Sequence, residues 1–350
     1  MTPKFAFASD NTAGLSPIAF RALEAANSGF SASYGDDEWT YRASDAMRAL
    51  FETDCDVYFV ATGTAANALA LATLCQPYHA IIASDCAHIE TDECSAPEFF
   101  SGGAKLWLAP APNGKLTPAA VTHLVSRRND VHYQCPRVLS VTNSTELGTV
   151  YRPEELLDLR AEAKRGGLRI HMDGARFSNA VASLGVAPRA LTWEAGVDVL
   201  CFGGSKAGLS LSEAVVFFDR ELSREFAFRC KQSGQLLSKM RYASSSWVAT
   251  LENGYWLELA QHANACAREL AAGLAAIPGV RLLQPVESNA VFVELPAQLN
   301  SWLRERGWRF YEFIGAHGGG GCRFMCCWAT RHEDIQALVT DCNWSGSQWA

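Results

Sequence analysis

Four short stretches carry side chains that could do covalent or acid-base chemistry. In Gly203-Gly204-Ser205-Lys206 an amine directly follows the apolar run 197–202 and precedes another, 214–218. Both runs are too short and too rich in valine and phenylalanine for helices, so they read as two buried strands with a loop between. A lysine at the mouth of a buried sheet meets low-dielectric surroundings that disfavour its ammonium, which leaves a free amine able to attack a carbonyl carbon. The chemistry this suggests is a Schiff base. The second stretch, 168–172, is a strand ending on Asp173-Gly174-Ala175-Arg176. Its acid could pair with a cationic ring nitrogen while its arginine meets an oxyanion, or the two could simply pair with each other. The third, Thr62-Gly63-Thr64, joins the strand-like run 57–61 to the helix-forming run 65–75. Free backbone N–H groups and hydroxyls at a helix start bind a phosphate, although the same residues also make a plain helix cap. The fourth holds His88 just past the short strand 80–84, where ligands of open α/β sheets gather.

These groups need a frame to bring them together. Apolar runs at 57–61, 80–84, 105–109, 137–142, 168–172, 197–202 and 214–218 alternate with helical patterns, among them 65–75, 118–127 and 153–164. That alternation predicts an α/β fold with a mostly parallel central sheet and helices on both faces. Before it, 18–26 and 43–51 read as helices, with Tyr34-Gly35-Asp36-Asp37 as a turn between. From about residue 244 the character changes: 247–276 is strongly helix-forming, followed by strand-like runs at 280–283, 290–295 and 322–328 and a helix at 297–306. The expectation is a large domain over 1–245, including the N-terminal segment, and a small α+β domain over 246–350. Residues 318–321, all glycine, read as a flexible loop.

Composition removes several function classes. A formal net charge of −7 argues against nucleic acid or an anionic membrane surface as partner. No apolar run approaches the roughly 20 residues that cross a bilayer, and the N-terminus lacks the apolar core of a signal peptide. A cytoplasmic protein is expected. Its twelve cysteines then read as reduced, buried small hydrophobes, and with no Cys-x-x-Cys pair no metal site is expected.

Taken in order, the stretches match one known arrangement. With Ser9-Asp10-Asn11, Tyr34-Gly35-Asp36-Asp37, Thr62-Gly63-Thr64, Ala87-His88, His171-Met172-Asp173-Gly174-Ala175-Arg176, Gly203-Gly204-Ser205-Lys206 and Cys322-Arg323-Phe324-Met325, the chain resembles the fold-type-I pyridoxal-phosphate enzymes. Within them it is similar to the low-specificity L-threonine aldolases, including the phenylserine-cleaving branch, over nearly its whole length.

The resemblance implies a cofactor, pyridoxal 5'-phosphate, joined to Lys206 as a Schiff base. It implies that Ser205, Gly63 and Thr64 hold the phosphate, and that Asp173 keeps the pyridine nitrogen protonated so that the ring acts as an electron sink. His88 would stack on the ring, Arg176 would lie near its phenolic oxygen and the substrate, and Ser9 with Arg323 would grip the substrate carboxylate. Lys231 and Arg241 are further candidates for the phosphate. Tyr34 looks like the residue such enzymes lend across a subunit interface, which implies a homo-oligomer, a dimer or tetramer. The implied reaction is retro-aldol cleavage of L-threonine, L-allo-threonine or L-phenylserine to an aldehyde and glycine through a glycine quinonoid. Holding the carboxylate sets which bond at Cα stands perpendicular to the ring, so that clamp is part of catalysis.

One departure from the family pattern stands out. The more widespread threonine aldolases carry a second histidine in the loop after the strand 137–142, whereas here that loop reads Asn143-Ser144-Thr145-Glu146-Leu147-Gly148. The base for the β-hydroxyl is open among His88, Glu146, a bound water and, further off, His132. Trp39, Trp308, Tyr311 and Phe313 offer aromatic surface for an aldehyde or simply pack in the core.

Two rival readings remain. Another enzyme on the same cofactor, a β-eliminating lyase or an aminotransferase, shares the electron sink and differs in the bond aligned. A serine hydrolase is suggested by the elbow-like 203–207 and the glycine-rich 317–321. It fails because an elbow needs a helix after its serine, where 214–218 is a strand, and because the oxyanion loop should come first.

Overall fold

The computed structural model describes residues 2–128, 130–314 and 320–346. All seven apolar runs of the first two-thirds of the chain form strands: β1 (Asp56–Val60), β2 (His79–Ser84), β3 (Lys105–Ala109), β4 (Cys135–Thr142), β5 (Arg169–Gly174), β6 (Val199–Gly203) and β7 (Glu213–Phe217). They make one sheet in the order β1-β7-β6-β5-β4-β2-β3. Pairing is parallel from β3 through β6, and β7 runs antiparallel to both β6 and β1.

Strands buried on both faces explain the continuous apolar runs. Val199 and Cys201 of β6 pack with Val60, Val215 and the helix Gly63–Leu74. Leu200 and Phe202 face the other way, into a core with Phe51, Phe177 and Trp247. Helices therefore cover both faces, as the alternation predicts. One consequence fixes the site. The ends of β2, β4, β5 and β6, and of β1 across β7, all reach the same edge, and β7 begins there.

A second sheet, wholly antiparallel, has the order β10-β11-β9-β8, with β8 (Arg281–Leu282), β9 (Ala290–Glu294), β10 (Tyr311–Ile314) and β11 (Gly320–Met325). Its core includes Val291, Val293, Phe324, Leu270 and Leu338. Phe7 from the N-terminal segment is buried in the same core, and its carbonyl accepts the Met325 N–H at 2.9 Å. That contact draws Ser9 and Asp10 toward β11.

The expected helix over 247–276 is two helices, Arg241–Leu251 and Tyr255–Ala275. They part at Gly254, whose φ of 73° is left-handed, a conformation that glycine takes at little cost. The strand β10 and the helix His332–Gly346 were not expected. Of the anticipated glycine loop, 318 and 319 lie outside the described residues, while Gly320 and Gly321 belong to β11. All twelve cysteines are free. Among the described residues no helix is long and apolar enough to cross a membrane.

Candidate active site

The structure gathers the candidate residues at the edge where β1, β4, β5 and β6 end. Lys206 sits in a single 3-10 turn, Ser205–Ala207, directly after β6. The chain can turn there only because Gly203 and Gly204 lack side chains. A Cβ on Gly203 would lie 2.3 Å from the Ala175 carbonyl oxygen, and one on Gly204 would lie 2.3 Å from that of Ser212. The half-buried amine of Lys206 has no hydrogen-bond partner among the described residues. The positive charge of Arg176, and then burial, lower its pKa, against the pull of Asp10, Asp173 and Glu213. A lowered lysine pKa is the property that an amine nucleophile needs.

Asp173, on β5, is 5% exposed. Its Oδ1 accepts the Ala175 N–H at 2.9 Å, and its Oδ2 accepts from Asn67 Nδ2 at 2.9 Å. The same Asn67 nitrogen donates to Glu93 Oε1 at 2.8 Å, and that oxygen lies 2.8 Å from His88 Nδ1. A buried line thus runs from Asp173 through Asn67 and Glu93 to His88. The hydrogen bond to Glu93 raises the pKa of His88, despite burial, with Asp173 adding to the rise. Burial pushes that of Glu93 up. Neither Asn67 nor Glu93 was singled out from the sequence. Asn67 hides in an alanine-rich helix and is marked only by being its one polar interior residue.

Arg176 meets Asp10 through two bonds, Nε to Oδ2 at 2.7 Å and a terminal nitrogen to Oδ1 at 3.0 Å. Asp10 also accepts from Asn289 Nδ2 at 3.3 Å. Burial works against the Asp10 carboxylate, yet Arg176 and Lys206 hold its pKa below the usual value. Arg323, on β11, lies with its guanidinium 5.1 Å from the centre of the Tyr311 ring. Its Nε is buried with no hydrogen-bond partner among the described residues. Burial and the nearby Arg176 lower its pKa, so two arginines and Lys206 share one positive region. Ser9 caps the turn Asp10–Thr12 and accepts the Asn11 N–H at 3.2 Å.

Thr62 caps the helix Gly63–Leu74, accepting the Ala65 N–H with its hydroxyl. The N–H groups of Gly63 and Thr64, at the first turn, have no acceptor within their own helix. A Cβ on Gly63 would meet nothing within 4 Å.

Other candidates fall elsewhere. Tyr34 is 47% exposed with a left-handed φ of 62°, and Lys231 stands 4.6 Å from its ring centre. Arg241 lies against Tyr242. Neither basic residue contacts Ser205 or Thr64. His132 precedes β4 and so lies at the opposite edge, about 25 Å away for an eight-residue strand. Glu146 is near the site, and its Oε1 accepts the His88 N–H at 2.9 Å and the Thr142 hydroxyl at 2.7 Å. Burial raises its pKa. Trp308 is buried in the second core, Tyr311 is exposed and Trp39 packs on the first core. Phe313 packs against Phe292. The turn after Ser205 leads into β7 and not into a helix, so no nucleophile elbow exists there. His317 and the two glycines after it, the other half of that rival reading, lie outside the described residues.

Residues 6–298 match the beta-eliminating lyase family. The chain belongs to this family. It is 55% identical over 335 residues, 96% of each chain, to the low specificity L-threonine aldolase of a Pseudomonas species. It is 56% identical, with the same coverage, to that of Pseudomonas aeruginosa. The solved structure of Leishmania major threonine aldolase superposes with a TM-score of 0.90 at 29% identity, covering 96% of this chain and 98% of that one. Serine palmitoyltransferase of Sphingomonas wittichii, at 16% identity and a TM-score of 0.71, shares the fold.

The donor set of this family member fits a phosphorylated aromatic aldehyde. It offers an amine and an arginine Nε without hydrogen-bond partners among the described residues, a buried carboxylate at a strand end, and helix-start N–H groups with open space beside Gly63.

Proposed function

We propose that this enzyme cleaves L-threonine, L-allo-threonine and L-phenylserine to glycine and the corresponding aldehyde. Its cofactor is pyridoxal 5'-phosphate, and as a family member 55% identical to a low specificity L-threonine aldolase it is a carbon-carbon lyase. The observation that carries the reading is Lys206: an amine with no hydrogen-bond partner among the described residues, its pKa lowered by Arg176 and burial, near the buried carboxylate of Asp173.

Each residue has a distinct task. Lys206 supplies the amine that bonds the cofactor aldehyde. Gly63, Thr64 and Ser205 donate to its phosphate, and Asp173 holds the proton on its ring nitrogen. When bound, the cofactor supplies a cationic ring that accepts the electron pair of the breaking Cα–Cβ bond. Arg323, Arg176 and Ser9 bind the substrate carboxylate and so orient Cα. His88 takes the β-hydroxyl proton: with Nδ1 tied to Glu93, its Nε2 is the nitrogen left to act. Glu146 holds the His88 backbone in place. Exposed Phe20, Phe30, Tyr34, Tyr41 and Phe228 support a homo-oligomer in which Tyr34 serves a neighbouring site, in a cytoplasmic enzyme of two domains that meet near residue 245.

The test is an assay of the purified, cofactor-loaded enzyme with each amino acid in both β-configurations. Glycine and aldehyde in equal amounts support the reading. Keto acid or ammonia in their place would assign the chain to aminotransfer or β-elimination.

A further inference from the structure

One carboxylate stands between the two stretches that would hold the cofactor phosphate. Glu213 is the first residue of β7, and because β7 is antiparallel to both neighbours it faces Val60 of β1 on one side and Gly203 of β6 on the other. β1 leads into Thr62-Gly63-Thr64, and β6 leads into Gly204-Ser205-Lys206. The side chain is tied to the second of these. Glu213 is 7% exposed and its Oε2 accepts the Gly204 N–H at 2.7 Å. Ser205 lies close enough to work against the effect of burial on the Glu213 pKa. Around the turn the space is filled, since a side chain on Gly204 would meet the Ser212 carbonyl and the Trp247 ring, and Trp247 Nε1 is bonded to Ser212 Oγ at 2.9 Å.

A buried carboxylate in this position has a conflict to resolve. A phosphate docked between Gly63 and Ser205 brings up to two negative charges beside it, and like charges in one low-dielectric site cannot both persist. Burial already pushes the Glu213 carboxyl up to about 7, so a modest further push makes it neutral at ordinary pH. The cation facing it is Lys206, and the thiol facing it from β6 is Cys201, which burial keeps protonated. Protonated, Glu213 still accepts the Gly204 N–H through its carbonyl oxygen and leaves the Ser205 hydroxyl free to donate to the phosphate.

We propose that Glu213 positions the Gly204-Ser205 turn and takes up one proton from solvent when a phosphate docks there, so that phosphate binding and the neutralisation of this carboxylate are a single linked event. The inference rests on the phosphate placement proposed above.

Calorimetric titration of the cofactor-free full-length protein with inorganic phosphate, in buffers of different ionisation enthalpy, tests it. Near pH 8 the expected uptake approaches one proton per phosphate bound beyond the phosphate's own, with Kd rising about tenfold per pH unit. In Glu213→Gln the uptake should vanish and Kd should change by less than about twofold per pH unit. No uptake by the wild type, or undiminished uptake by the variant, overturns the proposal. Should the variant fail to fold, wild-type titrations with pyridoxal phosphate and with pyridoxal decide: a larger uptake with the phosphorylated compound supports it, and equal uptake overturns it. If pyridoxal phosphate binds no more tightly than pyridoxal and inorganic phosphate does not bind, the phosphate placement itself is wrong and the inference falls with it.

Discussion

The Nδ1 atom of His88 lies 2.8 Å from Oε1 of Glu93, and that oxygen also accepts from Asn67. A carboxylate behind an imidazole fixes which nitrogen faces the substrate and raises the pKa of the ring. For His88 the largest cause of the rise is that hydrogen bond to Glu93. A base acts in its deprotonated form, so turnover should rise with pH through the raised His88 value. Glu93→Gln removes the carboxylate, and the rising limb of the pH–kcat profile should move to lower pH. An unmoved limb would mean that another group takes the proton.

His88→Asn separates catalysis from cofactor holding. Loss of a general base costs about 10²- to 10⁴-fold in rate, so kcat with L-threonine should fall by that factor while cofactor bound per chain, read from visible absorbance, stays close to wild type. Equal loss of both would reduce His88 to a support for the cofactor ring.

Asn67 is 2% exposed and donates to two carboxylates. Asn67→Ala leaves Glu93 and Asp173 short of a shared donor, at about 1.5–3 kcal/mol for each hydrogen bond to a charged group. Denaturant unfolding should show a loss of that size. A change below about 0.5 kcal/mol, the ordinary effect of a surface substitution, would show that the bridge contributes nothing to stability.

Asp10 and Arg176 form a buried two-bond pair. Asp10→Ala strands the guanidinium and should destabilise the fold by about 3–5 kcal/mol. The sign of the pH effect follows from the lowered Asp10 pKa. The pair stabilises above the ordinary aspartate pKa, and its contribution is lost as pH falls through the lower folded value. The gap between wild type and variant should therefore narrow in acid, and a gap that does not depend on pH would contradict the pairing.

Gly204 tests the turn that carries the amine. A methyl group there would meet the Ser212 oxygen at 2.3 Å and the Trp247 ring at 2.6 Å. Gly204→Ala should cost about 1–3 kcal/mol of stability, with weaker cofactor retention. Retention equal to wild type would show that the turn has room to move.

Much of the site was legible because strands buried on both faces leave unbroken apolar runs, and two of those runs lead to a reactive residue: Asp173 after 168–172 and Lys206 after 197–202. What stayed hidden is mostly neighbourhood. Asn67 lies 26 residues from Glu93 and 106 from Asp173, and Asp10 lies 166 from Arg176. Only the strand order brings these pairs together. Glu213 reads as an unremarked acid at the head of a valine-rich strand, because the antiparallel direction of β7, which puts it at the site, leaves no trace in composition. The helix His332–Gly346 was missed although Ile335, Leu338, Val339 and Cys342 recur at helical spacing and pack in the second core.

The account depends most on Lys206 being the amine that holds the cofactor. Borohydride reduction of the cofactor-loaded enzyme, followed by peptide mapping, tests this directly. The prediction is a pyridoxyl label on Lys206 alone, with glycine formation lost in Lys206→Ala. A label on another lysine, or undiminished cleavage by the variant, would contradict it.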